Sequence, residues 1–97
     1  MLEFYKIADS ENRNNQNHLK DSMFAGEIEH DVFNRLVKKG IIDKRFDYFT
    51  DFRWGSDVIK QIKNKLTNFE NDSDIIILAR IVNVIKEDDY GLIGYCD

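Results

Sequence analysis

The eight residues YGLIGYCD, Tyr90 to Asp97, constrain the fold of this chain more than any other stretch. They are largely apolar at a place where frayed chain ends are usually polar, so a docked strand is expected rather than a loose tail. The segment before them, 74–87, reads as a helix. Ile75, Leu78, Ile81, Val82 and Ile85 share one face, and Ile76, Ile77, Ala79 and Val84 widen the apolar surface. A helix that is apolar nearly all round belongs at the centre of a fold. Leu92, Ile93 and Tyr95 are then expected to return from it as a buried strand. Its partner is either the N-terminal strand or the aromatic segment 41–54. Cys96 would be a small buried hydrophobe.

The remaining elements follow from periodicity. LEFYKIA, residues 2–8, alternates loosely, with Leu2, Phe4 and Lys6 against Glu3, Tyr5 and Ile7, which predicts a strand. Residues 9–17 contain no apolar side chain and read as a loop. Leu19, Met23 and Phe24 fit a short helix stopping at Gly26. A firmer helix is expected over 27–39, where Ile28, Val32, Phe33, Leu36 and Val37 share a face and Gly40 fits a left-handed stop. Phe46, Tyr48, Phe52 and Trp54 predict an extended, bulged segment. Ser56 reads as the cap of a helix over 57–68 carrying Val58, Ile59, Ile62 and Leu66, with Phe69 just beyond. ENDSD, residues 70–74, is a turn in which Asp72 or Ser73 caps the last helix. The expected fold class is α+β: one helix-rich domain over 1–97, about three to four helices, and short strands near both termini.

A chain of 97 residues has room for one core. Its 42% hydrophobic content supplies that core, and its 33% charged content argues for a solvated surface rather than disorder. A net charge of −4 argues against a nucleic-acid partner, because phosphate binding is driven by excess Lys and Arg. The longest apolar-rich segment, 75–85, includes Arg80 and Asn83 and is too short to span a bilayer, so no membrane association is expected. The start, Met1-Leu2-Glu3-Phe4, lacks a signal-peptide pattern, and a single cysteine allows no internal disulfide. A cytoplasmic, reduced protein, monomeric or weakly dimeric, is expected.

Little in the chain points to catalysis. His18, His30 and Cys96 lack metal-ligand spacing and any Cys–His signature. The glycines are scattered, with no phosphate-loop fingerprint. Lys60, Lys63 and Lys65 precede Glu70, Asp72 and Asp74 and read as a solvated face. Asp43, Asp47, Asp51 and Asp57 alternate with aromatics, which fits either an acid–base pair or a solvated loop over an aromatic core. No catalytic residue, metal or cofactor is therefore expected. Two clusters remain as partner-binding candidates: Asp47, Tyr48 and Asp51 before one helix, and Glu87, Asp88, Asp89 and Tyr90 after another. Acids at a helix C-terminus cost about 0.3–1 kcal/mol each. They form either a plain solvated turn or an acidic rim with aromatic anchors that suits a basic protein.

The second half, 49–97, resembles a known pattern. The run Trp54-Gly55-Ser56-Asp57-Val58-Ile59 is similar to a W-[ST]-x-x-x-I helix start with one extra residue. It leads through an apolar helix to Gly91-Leu92-Ile93-Gly94-Tyr95-Cys96-Asp97. This arrangement resembles small bacterial immunity proteins encoded beside polymorphic toxins, including those of contact-dependent growth inhibition. The resemblance implies a non-enzymatic protein that binds a cognate toxin domain and blocks its active site or substrate access. Many such toxins are basic nucleases. The alternatives are a small regulatory or structural adaptor that self-associates or binds a host protein, and an enzyme using the Asp-rich aromatic segment.

Overall fold

A computed structural model describes residues 1–11, 23–69 and 72–96. The elements in chain order are β1 (Leu2–Ala8), β2 (Phe24–Ile28), α1 (His30–Lys38), β3 (Phe52–Trp54), α2 (Ser56–Leu66), α3 (Ser73–Val82) and β4 (Tyr90–Cys96). Among the described residues this is a small α+β domain of three helices and one antiparallel sheet, ordered β2-β1-β4-β3. No helix among them is long and apolar enough to cross a membrane.

The apolar ending lies inside the sheet. β4 pairs with β1 along its whole length, from Leu2↔Cys96 to Ala8↔Tyr90. On its other side it pairs with β3, from Phe52↔Gly94 to Trp54↔Leu92. Both partners that the sequence offered as alternatives are therefore used. Leu92 faces the helices and joins a core with Leu2, Phe4, Phe33, Leu36, Trp54, Ile59, Ile62, Leu78 and Val82. Ile93 and Tyr95 point to the opposite face, where they cluster with Ile7 and are buried. Cys96 is only partly buried, because it closes the strand at the margin of the core.

Several expected boundaries shift for identifiable reasons. Phe24 and Gly26 belong to β2, not to a helix that stops at Gly26; the Leu19 part of that expectation lies outside the described residues, as do 12–17 of the expected loop and Glu70 and Asn71 of the expected turn. Glu27 and Ile28 pair with Glu3 and Leu2, so α1 starts at His30 rather than at 27. Its end is as expected. Gly40 has φ +78, Ile41 N–H donates to the Leu36 carbonyl and Gly40 N–H to Val37, which is the Schellman closure. The segment 41–54 is extended only over β3. Asp43 Oδ1 accepts from Arg45 N–H at 3.0 Å and Asp47 Oδ1 from Phe49 N–H at 2.9 Å, two side-chain turns that displace strand pairing. Gly55, not Ser56, occupies the cap position of α2, and the capping acceptor comes from elsewhere in the chain: Asp9 Oδ1 receives Ser56 N–H at 3.0 Å. α3 ends at Val82 instead of 87. Val84 and Ile85 tighten its last turn by bonding to Ile81 and Val82, and Lys63 Nζ takes the Ile85 carbonyl at 2.7 Å.

α1 and α3 are tied by charge as well as by apolar packing. Asp72 caps α3, accepting from Asp74 and Ile75 N–H. Two residues on, in the first turn of α3, Asp74 is 4% exposed. Arg35 grips it with two bonds, of 2.7 and 3.0 Å, and Lys39 reaches Asp72 at 2.6 Å and Asp74 at 3.2 Å. Arg35 and Lys39 lie four residues apart at the end of α1, where cations also suit the helix dipole. The Arg35 hydrogen bonds, ahead of the opposing effect of burial, lower the Asp74 carboxyl from 3.8 to about 2. A depressed acid stabilises the fold above its unfolded value and loses that contribution as pH falls through its folded value. Much of Arg35 is solvent-exposed, which weakens the pair, so the contribution is at most about 2 kcal/mol. Denaturant melts should therefore show stability falling between about pH 4 and pH 2. In Asp74→Asn that slope should be shallower, and an unchanged slope would contradict the assignment.

Gly91 sets how closely β4 meets the β3–α2 junction. A Cβ there would lie 2.0 Å from the Trp54 carbonyl oxygen and 2.9 Å from the Gly55 carbonyl carbon. Both are backbone atoms and cannot swing away. At Gly40 a Cβ would meet nothing within 4 Å, so only backbone conformation opposes substitution there. Gly91→Ala should cost about 3 kcal/mol or prevent folding, and Gly40→Ala about 1 kcal/mol. Thermal melts of the two variants test this; equal losses would contradict the close approach.

Candidate functional site

The seven candidate residues fall into two groups at opposite ends of β4, roughly 20 Å apart along a strand of this length. They do not form one surface.

At the Cys96 end lie Asp47, Tyr48 and Asp51. Asp51 Oδ1 accepts from Cys96 N–H at 3.3 Å, and Asp47 holds its turn, so both acids face backbone amides. Tyr48 is 7% exposed and packs on Phe33 with ring centroids 5.7 Å apart. Burial is the main cause that raises its phenol above the ordinary value. Tyr48 is thus a core residue and not a surface anchor. The exposed aromatic is its neighbour Phe49, which is 67% exposed. Its ring sits 5.0 Å from His30 and 5.1 Å from Tyr48. Together with Lys44 and Arg45 these residues border an open groove of about 460 Å³. Phe49 fell in the broken middle of the period-2 pattern, and only the Asp47 turn signal could have shown that it turns outward.

At the Tyr90 end, Glu87 binds Lys6 Nζ at 2.6 Å, and Lys6 also lies 4.8 Å from the Tyr90 ring centroid. The bond from Lys6 is the main cause that lowers the Glu87 carboxyl. Asp88 and Asp89 are exposed. They sit in a turn past the end of α3, so the helix-dipole penalty expected from sequence does not apply. Two further acids join them. Asp9 N–H donates to the Asp89 carbonyl at 2.8 Å. The side chains of Asp9 and Asp57 both come within 4 Å of where a Cβ on Gly55 would lie. Hydrogen bonds from Ser56 lower the Asp9 carboxyl. Arg53 runs beneath this end, donating to the carbonyls of Ala8, Asp9 and Glu11. Asp9 was hidden from sequence reasoning because its role depends on β1 ending beside β4 and α2, a non-local contact.

His30 is exposed on the first turn of α1, 3.2 Å from Asn34 Nδ2, while His18 lies outside the described residues. Among the described residues, no group of three or more His, Cys, Asp or Glu is placed to hold a metal ion. Comparison with family models, with curated proteins and with solved structures returns no match.

The contrast between residues 48 and 49 is directly measurable. Tyr48→Ala should cost about 3–5 kcal/mol, as truncation of a buried aromatic does. Phe49→Ala should stay within about 0.5 kcal/mol of the parent. A Phe49→Ala loss as large as that of Tyr48→Ala would contradict the surface role.

Proposed function

We propose that this protein is an immunity protein, which binds a cognate toxin domain in the producing cell and blocks its active site or substrate access. The observation that carries the reading is the acidic end of the sheet. Asp9, Asp57, Glu87, Asp88 and Asp89 come from three separated parts of the chain and gather around the β4–α2 junction. Two of the nearby cations are engaged, Lys6 with Glu87 and Arg53 with main-chain carbonyls, while Lys60, which acts on Asp9, and Lys86 are exposed beside them. Asp88 and Asp89 remain turned to solvent, on the turn between α3 and the central strand. Such a surface suits a basic partner. For a nuclease, its carboxylates would stand where nucleic-acid phosphates otherwise bind, and no catalytic step by this chain is needed.

The rival reading, a small adaptor that self-associates or binds a host protein, is favoured by a different observation, the exposed Phe49 beside its groove. Aromatic side chains so placed are frequent anchors of protein contacts. The two readings assign binding to opposite ends of the molecule, so one experiment separates them.

That experiment is charge reversal at Asp88 and Asp89, made separately from reversal at Asp47 and Asp51. Each variant is tested for binding to the protein encoded by the neighbouring reading frame, at two salt concentrations. Reversal at Asp88 and Asp89 should slow association about tenfold or more at low salt and less at high salt, since exposed charges chiefly steer encounter. Reversal at Asp47 and Asp51 should leave association within about twofold of the parent. If every variant binds and protects cells like the parent, the acidic end is not the binding surface. If the parent neither binds nor protects, the immunity reading falls.

A further inference from the structure

Resting on the immunity reading, we infer that Arg53 is a positioning residue for the acidic end: it acts through Asp9, whose carboxylate it sets in place for the basic partner. Arg53 lies in β3 and pairs with Ile93, so its side chain points to the sheet face away from the helices. From there it donates to the carbonyls of Ala8, Asp9 and Glu11. A guanidinium offers its donors in a planar fork that can span several acceptors, whereas a lysine ammonium is a point charge. These bonds hold the backbone just past the end of β1, where the pairing with β4 has stopped.

Other bonds complete the placement of Asp9. Its N–H donates to the Asp89 carbonyl at 2.8 Å, and Glu11 N–H closes back on Ala8 at 3.0 Å. Both main-chain groups of Asp9 are therefore taken, and its side chain turns to α2. There Asp9 Oδ1 accepts from Ser56 N–H at 3.0 Å, an amide of the first helical turn that no helix carbonyl reaches. Asp9 is exposed, and its carboxylate keeps a second oxygen for a partner's cation. The Ser56 bonds are the main cause that lowers the Asp9 carboxyl, and the charges of Arg53 and Lys60 add less. Geometry and charge give Arg53 effects of opposite sign. A cation at this end subtracts from the negative field that draws a basic partner, so loss of its charge alone would speed association. Loss of the placement of Asp9 slows it.

Arg53→Gln removes both charge and fork, and Arg53→Lys removes the fork alone. Both change a side chain outside the helix-facing core. In the free chain, exchange of the Ser56 amide should quicken about threefold or more in each variant. Association with the protein encoded by the neighbouring reading frame, at low salt, should slow about threefold or more in each. On an Asp9→Ala background, Arg53→Lys should slow it no further, because the two residues act as one. Ser56 exchange unchanged from the parent would overturn the proposal, and so would exchange quickened throughout the sheet, which would make Arg53 a general support of the fold. Faster association of Arg53→Gln with Arg53→Lys at the parent's rate, or a slowing that persists on the Asp9→Ala background, would overturn it as well. A parent that does not bind overturns the immunity reading and the partner's share in this role, and Ser56 exchange in the free chain then still decides whether Arg53 places Asp9.

Discussion

The close approach of Gly91 to the Trp54 carbonyl is the constraint on which the placement of the last strand depends. Because residue 91 has no side chain, β4 can run directly beneath the turn from β3 into α2. That placement makes the last strand an inner one, paired on both sides. It also brings Phe52 and Trp54 over β1, where the Trp54 and Phe4 ring centroids are 4.8 Å apart and the Phe52 and Trp54 centroids 5.4 Å. Aromatic pairs of this kind add about 0.5–1.5 kcal/mol each beyond burial. α2 and α3 then close over the helix-facing side, and α1 is fastened to α3 through Asp74.

A central strand also has two ends, and they differ in chemistry. At the Cys96 end, acids turn onto backbone amides and an aromatic ring is left in water. At the Tyr90 end, Lys6 and Arg53 are engaged and carboxylates are left in water. Counting acids along the chain does not distinguish these cases. An aspartate that fixes a turn keeps its charge, but its position is set by the turn rather than by a partner. The carboxylates of the Tyr90 end instead stand together at the surface, where they add to one local field.

The legible parts of the fold were those governed by local periodicity. The α2 stripe of Ile59 and Ile62, the Val32–Leu36 face of α1, the Gly40 stop and the buried Leu92, Ile93 and Tyr95 all followed from spacing and burial preference. The misread parts were those decided by distant partners. β2 has too few residues for its period to be separated from a helical one, and it is defined by pairing with β1. Periodicity alone carries α3 five residues past its end, because Val84 and Ile85 extend its apolar pattern after its hydrogen bonding has changed. The candidate site was half legible. Asp88 and Asp89 are exposed as expected, whereas Tyr48 serves the core, and Asp9 and Asp57 join the acidic end only through the tertiary fold.

The central functional claim is that the Tyr90 end, not the Phe49 groove, is where a partner sits. Amide hydrogen exchange of the full chain, free and mixed with the protein encoded next to it, locates that contact without any substitution. Slowed exchange confined to residues 86–89 and the first turn of α2 is the result predicted here. Slowed exchange centred on residues 44–49, or no change anywhere in the chain, would contradict it.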